Sequence, residues 1–198
     1  YGAGIFGHHD EESPTISNCI ISGNASDHNA GGGIQGCNGP ITNCAITGNK
    51  GIYAGGGGLN TCNGPITNCI ITNNTVSNGD GGGVYRCNGP VTSCIIAGNS
   101  ASDDGGGIDI TACTSTITNC TIANNTAGGS GGGIYGWFDS NVTIRNCILW
   151  NNSGYEIFLD YDSYRTCTLT VHHSDVQGGL SSTHIESSGT LNWGIGNI

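Results

Sequence analysis

The chain has 198 residues, among them 37 glycines and no methionine, which is enough for one domain or two. The chain has fourteen acidic residues and a formal net charge of -10, and its only Lys and Arg residues are Lys50, Arg86, Arg145 and Arg165. Nucleic acids and anionic membranes are bound by clustered Lys and Arg, so this balance argues against both as partners. No apolar run reaches the roughly 20 residues of a membrane-spanning helix, and we expect no membrane insertion.

An internal repeat dominates the sequence. The stretch "GGGIQGCNGPITNCAITGN" at 31–49 returns with few changes at 56–74 and 81–99, and looser copies start at Gly105 and Gly131. The residue after each glycine triplet recurs at intervals of 25, 25, 24 and 26, namely Ile34, Leu59, Val84, Ile108 and Ile134. Degenerate copies at either end add Ile5 and Ile157.

A period near 25 residues is typical of leucine-rich repeats and of parallel β-helices. The leucine-rich motif is absent, and the abundance of Ile, Val, Thr and Gly favours strands over helices. We therefore predict an all-β, right-handed parallel β-helix solenoid of about seven coils. A single domain would span 1–198, with regular coils over 1–153 and a degenerate C-terminal coil and tail over 154–198.

Within one repeat, the order of elements is a strand at "GGIQG", a strand at "PIT" and a strand at "CAIT". Three columns of side chains recur and should point inward, because two of them alternate as strand residues do. The columns are Ile16, Ile41, Ile66, Val91, Ile117 and Ile144; Cys19, Cys44, Cys69, Cys94, Cys120 and Cys147; and Ile21, Ile46, Ile71, Ile96, Ile122 and Leu149.

Asparagine recurs at two places where the chain must turn, because this residue tolerates left-handed backbone angles. One set precedes the cysteine column and comprises Asn43, Asn68, Asn119 and Asn146. The other should mark the next corner and form a ladder of amides along the stack. Its members are Asn24, Asn49, Asn74, Asn99, Asn125 and Asn152.

The glycine triplets followed by "IxGN" or "IxNN" resemble the GGA(I/L/V) and FxxN repeats of polymorphic outer-membrane proteins. They resemble even more closely the bacterial right-handed β-helix repeat proteins of the pectate-lyase-like superfamily. The stretch "NVTIRNCILWNN" and the tail "LTVHHSDVQGG" are similar to segments of large secreted planctomycete-type proteins. The resemblance covers nearly the whole chain and implies a β-helix on a cell surface or outside the cell, in a structural, adhesive or carbohydrate-active role.

Eleven cysteines fall into the inward column, a turn column of Cys37, Cys62, Cys87 and Cys113, and the separate Cys167. Equivalent residues on adjacent coils should lie ~4.8 Å apart, within the range of a disulfide. The spacing predicts the pairs Cys37–Cys62 and Cys87–Cys113 in an oxidising compartment. The inward cysteines could pair in the same way or remain free thiols acting as small apolar side chains.

The outward row after the glycines, Gln35, Asn60, Tyr85, Asp109 and Tyr135, holds the candidate chemistry. Arg86 adjoins it, and Asp80, Asp103 and Asp104 lie in the preceding turns, where they are also the weak candidates for a metal site. Tyr85, Arg86, Asp109 and Tyr135 would serve a carbohydrate-active or carbohydrate-binding site. Hydrolysis needs two facing carboxylates, and the strands supply one outward Asp. Scattered, solvated turn acids are the alternative interpretation.

An outward apolar stripe of Ile20, Ile70, Ile95 and Ile148 suggests a contact surface. The apolar, strand-like stretches at both ends also suggest end-to-end stacking into a fibre. The sequence favours a non-catalytic extracellular or cell-surface structural or adhesive module that associates with itself or with a larger surface protein. We expect no cofactor and no obligatory metal, and a polysaccharide lyase, hydrolase or binding protein is the alternative.

Overall fold

The computed structural model describes residues 4–7, 13–27, 31–160, 165–186 and 189–198, and it is a parallel β-helix. Every strand pair runs parallel, with partners one coil apart, as in Ile66 with Ile41 and Val91. This confirms the predicted fold. None of the described residues belongs to a helix that is long and apolar enough to cross a membrane. The one helical element in the described part of the chain is a short 3-10 helix, Gly179–Ser182.

The strands of successive coils stack into sheets. The first sheet contains Ile5–Phe6, Ile34–Gln35, Leu59–Asn60, Val84–Tyr85, Ile108–Asp109, Ile134–Gly136, Ile157–Leu159 and Thr183–Ile185. The second sheet contains Ile16–Ser17, Ile41–Thr42, Ile66–Thr67, Val91–Thr92, Thr114–Thr118, Asn141–Arg145, Thr168–His172 and Thr190–Trp193. The third sheet contains Ile20–Ser22, Ala45–Thr47, Ile70–Thr72, Ile95–Ala97, Thr121–Ala123, Ile148–Trp150 and Asp175–Val176.

A fourth sheet corrects the prediction of three strands per coil. It contains Ala25–Ser26, Lys50–Gly55, Thr75–Asp80, Ser100–Ala101 and Thr126–Ala127. These residues lack an apolar alternation, but the backbone pairs them. The N–H of Thr75, for example, donates to the carbonyl of Asn49 one coil earlier, at 2.9 Å. Stacked coils therefore extend this segment whatever its side chains are.

The three predicted inward columns form the core. Ile41, Ile66 and Ile117 are fully buried, and almost all the other members of the three columns are buried as well. Cys19 is the exception, because it is exposed, whereas the cysteines stacked above it are buried. Each buried isoleucine contributes about 1.5–3 kcal/mol to stability. Core packing therefore explains why isoleucine recurs in these columns, and no functional role is needed to explain it.

At each corner the direction of backbone pairing reverses. The N–H of Asn68 donates to Thr92 in the next coil, whereas the N–H of Ile70 donates to Cys44 in the preceding coil. The N–H of Cys69 between them has no strand partner, and it donates instead to the sulfur of Cys94, at 3.4 Å. A buried N–H without an acceptor is costly, so each coil must supply an acceptor to the coil before it.

The same arrangement recurs along the inward cysteine column. Cys94 donates its N–H to the sulfur of Cys120, and Cys120 to that of Cys147, each at 3.4 Å. At the end of the column, the hydroxyl of Ser174 replaces a thiol and accepts from the N–H of Cys147 at 3.2 Å. The cysteine column is therefore a ladder of hydrogen-bond acceptors as well as of small apolar side chains.

The second corner uses asparagine for the same purpose. Asn74 donates its backbone N–H and its side-chain Nδ2 to Oδ1 of Asn99, each at 3.0 Å. The predicted amide ladder is thus present, and it lies in the core, because Asn74 and Asn99 are buried. The corner itself lies one residue earlier than predicted, since the left-handed residues are Gly48, Asn73, Gly98, Asn124 and Asn151.

The structure holds all eleven cysteines as free thiols, so neither Cys37–Cys62 nor Cys87–Cys113 is joined in it. The turn cysteines serve the third corner instead: the N–H of Cys62 donates to the sulfur of Cys87, at 3.2 Å. This contact joins Cys62 and Cys87, which belong to different expected pairs. The turn cysteines therefore stack as predicted, but in the structure their sulfur atoms accept hydrogen bonds and do not form disulfides.

We expect thiol alkylation to follow this arrangement. Protein denatured without reductant should carry eleven alkyl groups by intact mass, because the structure holds eleven free cysteines. Two disulfides would leave seven alkyl groups, eleven less four. Peptide mapping of the unlabelled cysteines would then identify the pairs.

Candidate functional site

A cavity of about 250 Å³ opens on the outer face of the first sheet. Four successive coils contribute to it, and the residues that line it are Asp80, Tyr85, Arg86, Asp104, Thr111, Tyr135, Trp137 and Asp160. Five of these were candidate residues in the sequence. The structure therefore brings Asp80 and Asp104 together with Tyr85, Arg86 and Tyr135, and does not leave the turn acids scattered.

Tight glycine turns place the two acids. Gly81 and Gly105 have φ angles of 63° and 65°, in the left-handed region that side chains disfavour. A Cβ on Gly81 would lie 2.7 Å from Cβ of Tyr85, so the turn passes directly over the strand that follows it. Asp80 and Asp104 immediately precede these glycines. In these two coils the glycine turn therefore brings one acid each to the rim of the outward row.

Asp80 and Asp104 are held by backbone donors of the next coil. Oδ1 of Asp80 accepts from the N–H of Asp104 at 3.0 Å, and Oδ1 of Asp104 accepts from the N–H of Ser130 at 2.5 Å. Partial burial raises the pKa of both carboxyls, and nearby acids raise it further, against the effect of these hydrogen bonds. Each carboxylate is thus fixed by one oxygen, which preorganises the second for a ligand.

Asp109 departs from its predicted role as an outward, accessible acid. It is 1% exposed, does not line the cavity, and accepts the N–H of Thr111 on Oδ1 at 2.7 Å. Burial raises the pKa of its carboxyl to about 7, and Asp80 adds to this effect while Arg86 opposes it. The Gly105 turn covers this side chain, so it supports the floor of the site and does not face solvent.

Asp109 should make stability depend on pH. Its pKa near 7 in the folded chain exceeds the ~3.9 of an unfolded aspartate, so folding favours the protonated form. Its contribution is complete below about pH 4 and is lost as the pH rises through 7. We expect Asp109→Asn to reduce the loss of stability between pH 5 and pH 8, measured by urea unfolding. An unchanged pH dependence in this variant would contradict the assignment.

Arg86 lies between this cavity and a second one of about 350 Å³. Both cavities share Arg86 and Thr111, and the second is also lined by Thr61, Asn63, Asn88, Ala112, Cys113 and Phe138. The guanidinium carbon of Arg86 lies 5.2 Å from the ring centroid of Tyr85, a cation–π contact. The two cavities therefore form one groove that crosses the corner after the first sheet.

The backbone along this corner is strained. Arg86 has a φ angle of 49°, and Thr61 has one of 48°, which is unusual for a β-branched residue. Such conformations persist only where the surrounding structure enforces them, and they cluster at functional sites. Here the conformation of Arg86 places its guanidinium against the Tyr85 ring, at the junction of the two cavities.

Tyr135 is less available than the sequence suggested. Its ring stacks on Phe158, with centroids 6.0 Å apart and planes at 14°, and its hydroxyl donates to Oδ2 of Asp160 at 2.9 Å. Only 6% of the residue is exposed. Trp137 offers a more accessible aromatic surface, since it is 37% exposed and contacts Phe138 edge-on at 5.5 Å.

Sequence reasoning missed Thr111, Trp137 and Asp160. Thr111 and Trp137 lie in loops that lengthen only on this side of the molecule. The interval from the outward row to the second sheet is six residues from Tyr85 to Val91, eight from Asp109 to Ile117 and nine from Tyr135 to Ile144. This change in loop length against a constant repeat was the available signal, because insertions in solenoids concentrate on the binding face.

The weak metal candidates do not form a ligand cluster. Asp103 does not line the cavity, and its Oδ1 accepts from the hydroxyl of Ser102 at 3.3 Å. Among the residues that the structure describes, no group of three or more His, Cys, Asp and Glu side chains could hold a metal ion. The expectation that no metal is required stays a prediction, which chelation followed by thermal melting would test.

Residues 59–193 match the family described as the right handed beta helix region. The match covers most of the chain, which therefore belongs to this family. Comparison with curated proteins and with solved structures finds no similar protein. The family defines the fold and its handedness, and function must be argued from the site, because this fold serves enzymes and non-enzymes.

Proposed function

We propose that this protein is a non-catalytic, saccharide-binding β-helix module that acts as an adhesive element. The observation that supports this most strongly is the shared groove, in which four coils bring together three carboxylates, a guanidinium, a threonine and an exposed Trp. Ligand sites are concave and combine apolar surface with a few convergent polar groups. The groove has this composition.

A saccharide fits these groups chemically. Its ring carries hydroxyls that donate and accept hydrogen bonds, and its C–H faces pack on aromatic rings such as Trp137. Asp80, Asp104 and Asp160 supply acceptors, while Arg86 supplies donors. Three carboxylates against one guanidinium disfavour an anionic ligand by like-charge repulsion. We therefore propose neutral polysaccharides, rather than polyuronates, as the ligand class.

Hydrolysis of the bound saccharide is the second candidate. It is favoured by the placement of Asp104 and Asp160 in one cavity and by the raised pKa of Asp104, since glycosidases pair a protonated carboxylic acid with a carboxylate. Binding remains the preferred function because Asp104 already accepts a backbone N–H and Asp160 already accepts the Tyr135 hydroxyl. The guanidinium of Arg86 is a poor candidate for a general base.

Affinity electrophoresis tests the binding proposal. Migration of the chain is measured in native gels that contain neutral or acidic polysaccharides, with reducing-sugar release followed in parallel. We expect at least one neutral polysaccharide to retard the chain, with no release of reducing ends. Trp137→Ala should weaken retardation about tenfold, and Tyr53→Ala, which removes an exposed aromatic ring on the fourth sheet, should not.

Two outcomes would change the proposal. Sugar release that is lost in Asp104→Asn and Asp160→Asn would favour the hydrolase. No retardation by any polysaccharide, or equal loss of retardation in Trp137→Ala and Tyr53→Ala, would contradict a saccharide site at this groove.

We also propose that the module works outside the cell or on a bacterial cell surface. Its net charge of -10 and its abundance of Gly, Asn, Thr and Ser support this location, as does the family resemblance of its repeats. End-to-end stacking into a fibre stays a prediction. Electron microscopy of the purified chain over a range of concentrations tests it directly, since stacked coils would give filaments that lengthen with concentration.

A further inference from the structure

The outer face of the third sheet carries a ridge beside a trough. The ridge is the column of Ile20, Ala45, Ile70, Ile95, Thr121 and Ile148, whose isoleucines are 79%, 48%, 46% and 46% exposed in chain order. The trough is the column two residues later, made of Ser22, Thr47, Thr72, Ala97 and Ala123, and closed by Trp150. Contiguous exposed apolar residues of this kind mark contact surfaces.

This face is uncharged in a strongly acidic chain. No charged residue occurs in the six strands from Ile20–Ser22 to Ile148–Trp150, and the first acid in this sheet is Asp175, beyond them. Most surfaces of a chain with a net charge of -10 repel a second copy. The third sheet is a surface on which two copies can meet without placing like charges together.

The borders of the face are polar and neutral. One border is formed by the corner residues Asn18, Asn43, Asn68, Ser93, Asn119 and Asn146, and the other by Gly23, Gly48, Asn73, Gly98, Asn124 and Asn151. Exposed amides along them already bond from coil to coil, as in Asn146 to Asn119 at 3.2 Å and Asn151 to Asn124 at 2.7 Å. An apolar centre within a polar rim is the usual anatomy of a protein interface.

The shape of the face is self-complementary. A two-fold axis parallel to the helix axis, placed between the two columns, sets the ridge of each copy against the trough of the other. Coil by coil, Ile70 then faces Thr72 of the second copy and Ile95 faces Ala97, large against small. Both copies repeat at the same ~4.8 Å spacing, so the register is kept from coil to coil, and the large-against-small match holds in the coils of Ile20, Ile70 and Ile95.

We propose that the third-sheet face binds a second copy of this chain in a closed, two-fold symmetric dimer. Such an interface is isologous and uses the same patch on both partners. It leaves the groove on the first sheet free, and it does not depend on what that groove binds. A dimer would present two grooves to one polysaccharide.

Sedimentation equilibrium of the full chain at physiological salt tests this proposal. We expect a reversible monomer–dimer equilibrium. Ile95→Asp should raise the dissociation constant at least about 30-fold, because it places a charge at the centre of the ridge on both copies. Thr92→Asp is the matched control, since it adds the same charge in the same coil on the second sheet, and it should leave the equilibrium unchanged. Circular dichroism confirms that both variants fold.

Ala97→Phe distinguishes a fitted interface from general stickiness. Filling the trough adds apolar surface but blocks the ridge of the partner, so the fitted interface predicts weaker association and stickiness predicts stronger association. A monomer at all concentrations, an open series of oligomers that Ile95→Asp abolishes, a dimer insensitive to Ile95→Asp, or stronger association of Ala97→Phe would each overturn the proposal.

Discussion

Replacing Asn99 by leucine should lower the free energy of unfolding by about 4 kcal/mol or more, because four hydrogen bonds of one buried amide are lost together. Its Oδ1 accepts from the N–H and Nδ2 of Asn74, and its Nδ2 donates to Ile71 O and to Oδ1 of Asn125. Leucine has a similar volume but makes none of these hydrogen bonds, and water cannot replace them because the partner groups are buried. The change is measured by urea denaturation followed by circular dichroism.

An exposed asparagine ladder provides the control for this experiment. Oδ1 of Asn63 accepts from the N–H of Asn88 at 3.2 Å, on the surface. Water can replace that bond, so Asn63→Ala should cost less than about 1 kcal/mol. Equal losses of stability in the two variants would mean that the buried ladder contributes no more than surface pairing.

The cysteine column should respond differently to valine and to serine. Cys94→Val leaves the buried N–H of Cys69 without its acceptor and should cost about 2–3 kcal/mol, although valine fills the space. Cys94→Ser retains an acceptor, as Ser174 does at the end of the same column, and should cost roughly half as much. Urea midpoints of the two variants measure the difference.

The reverse order would contradict the acceptor role. If Cys94→Val were as stable as the parent chain and Cys94→Ser were not, the column would act only through apolar packing.

The sequence predicts the fold of this chain well because a solenoid repeats its constraints. Each inward column repeats one structural environment in six coils, so the isoleucine columns stand out without any alignment of homologues. The amide ladder could be predicted for the same reason. The fourth sheet could not, because backbone pairing between coils holds it and its side chains carry no alternating pattern.

The site is harder to predict, because it breaks the repeat. Asp80, Asp104, Tyr85 and Arg86 were visible as polar residues at recurring positions, but their convergence depends on the Gly81 and Gly105 turns. Asp109 looked outward by alternation, yet the Gly105 turn buries it. Trp137 lies in an inserted loop, so the alignment of the repeats does not predict its position.

The cysteines show a similar limit. Spacing between coils brings Cys62 and Cys87 within reach, as predicted, but spacing does not reveal what the sulfur atoms do. The reversal of backbone pairing at the corners determines that, and it becomes visible only from the hydrogen bonds.

Hydroxyl-radical footprinting with the retarding polysaccharide tests the saccharide-binding groove most directly. Oxidation of each aromatic residue is measured by mass spectrometry with and without the polysaccharide. Binding in the groove predicts protection of Trp137 and Tyr85, with Trp150 on the third sheet oxidised equally in both samples. Protection of Trp150 with no change at Trp137 would contradict binding in the groove, because the saccharide would then lie on a different face of the β-helix.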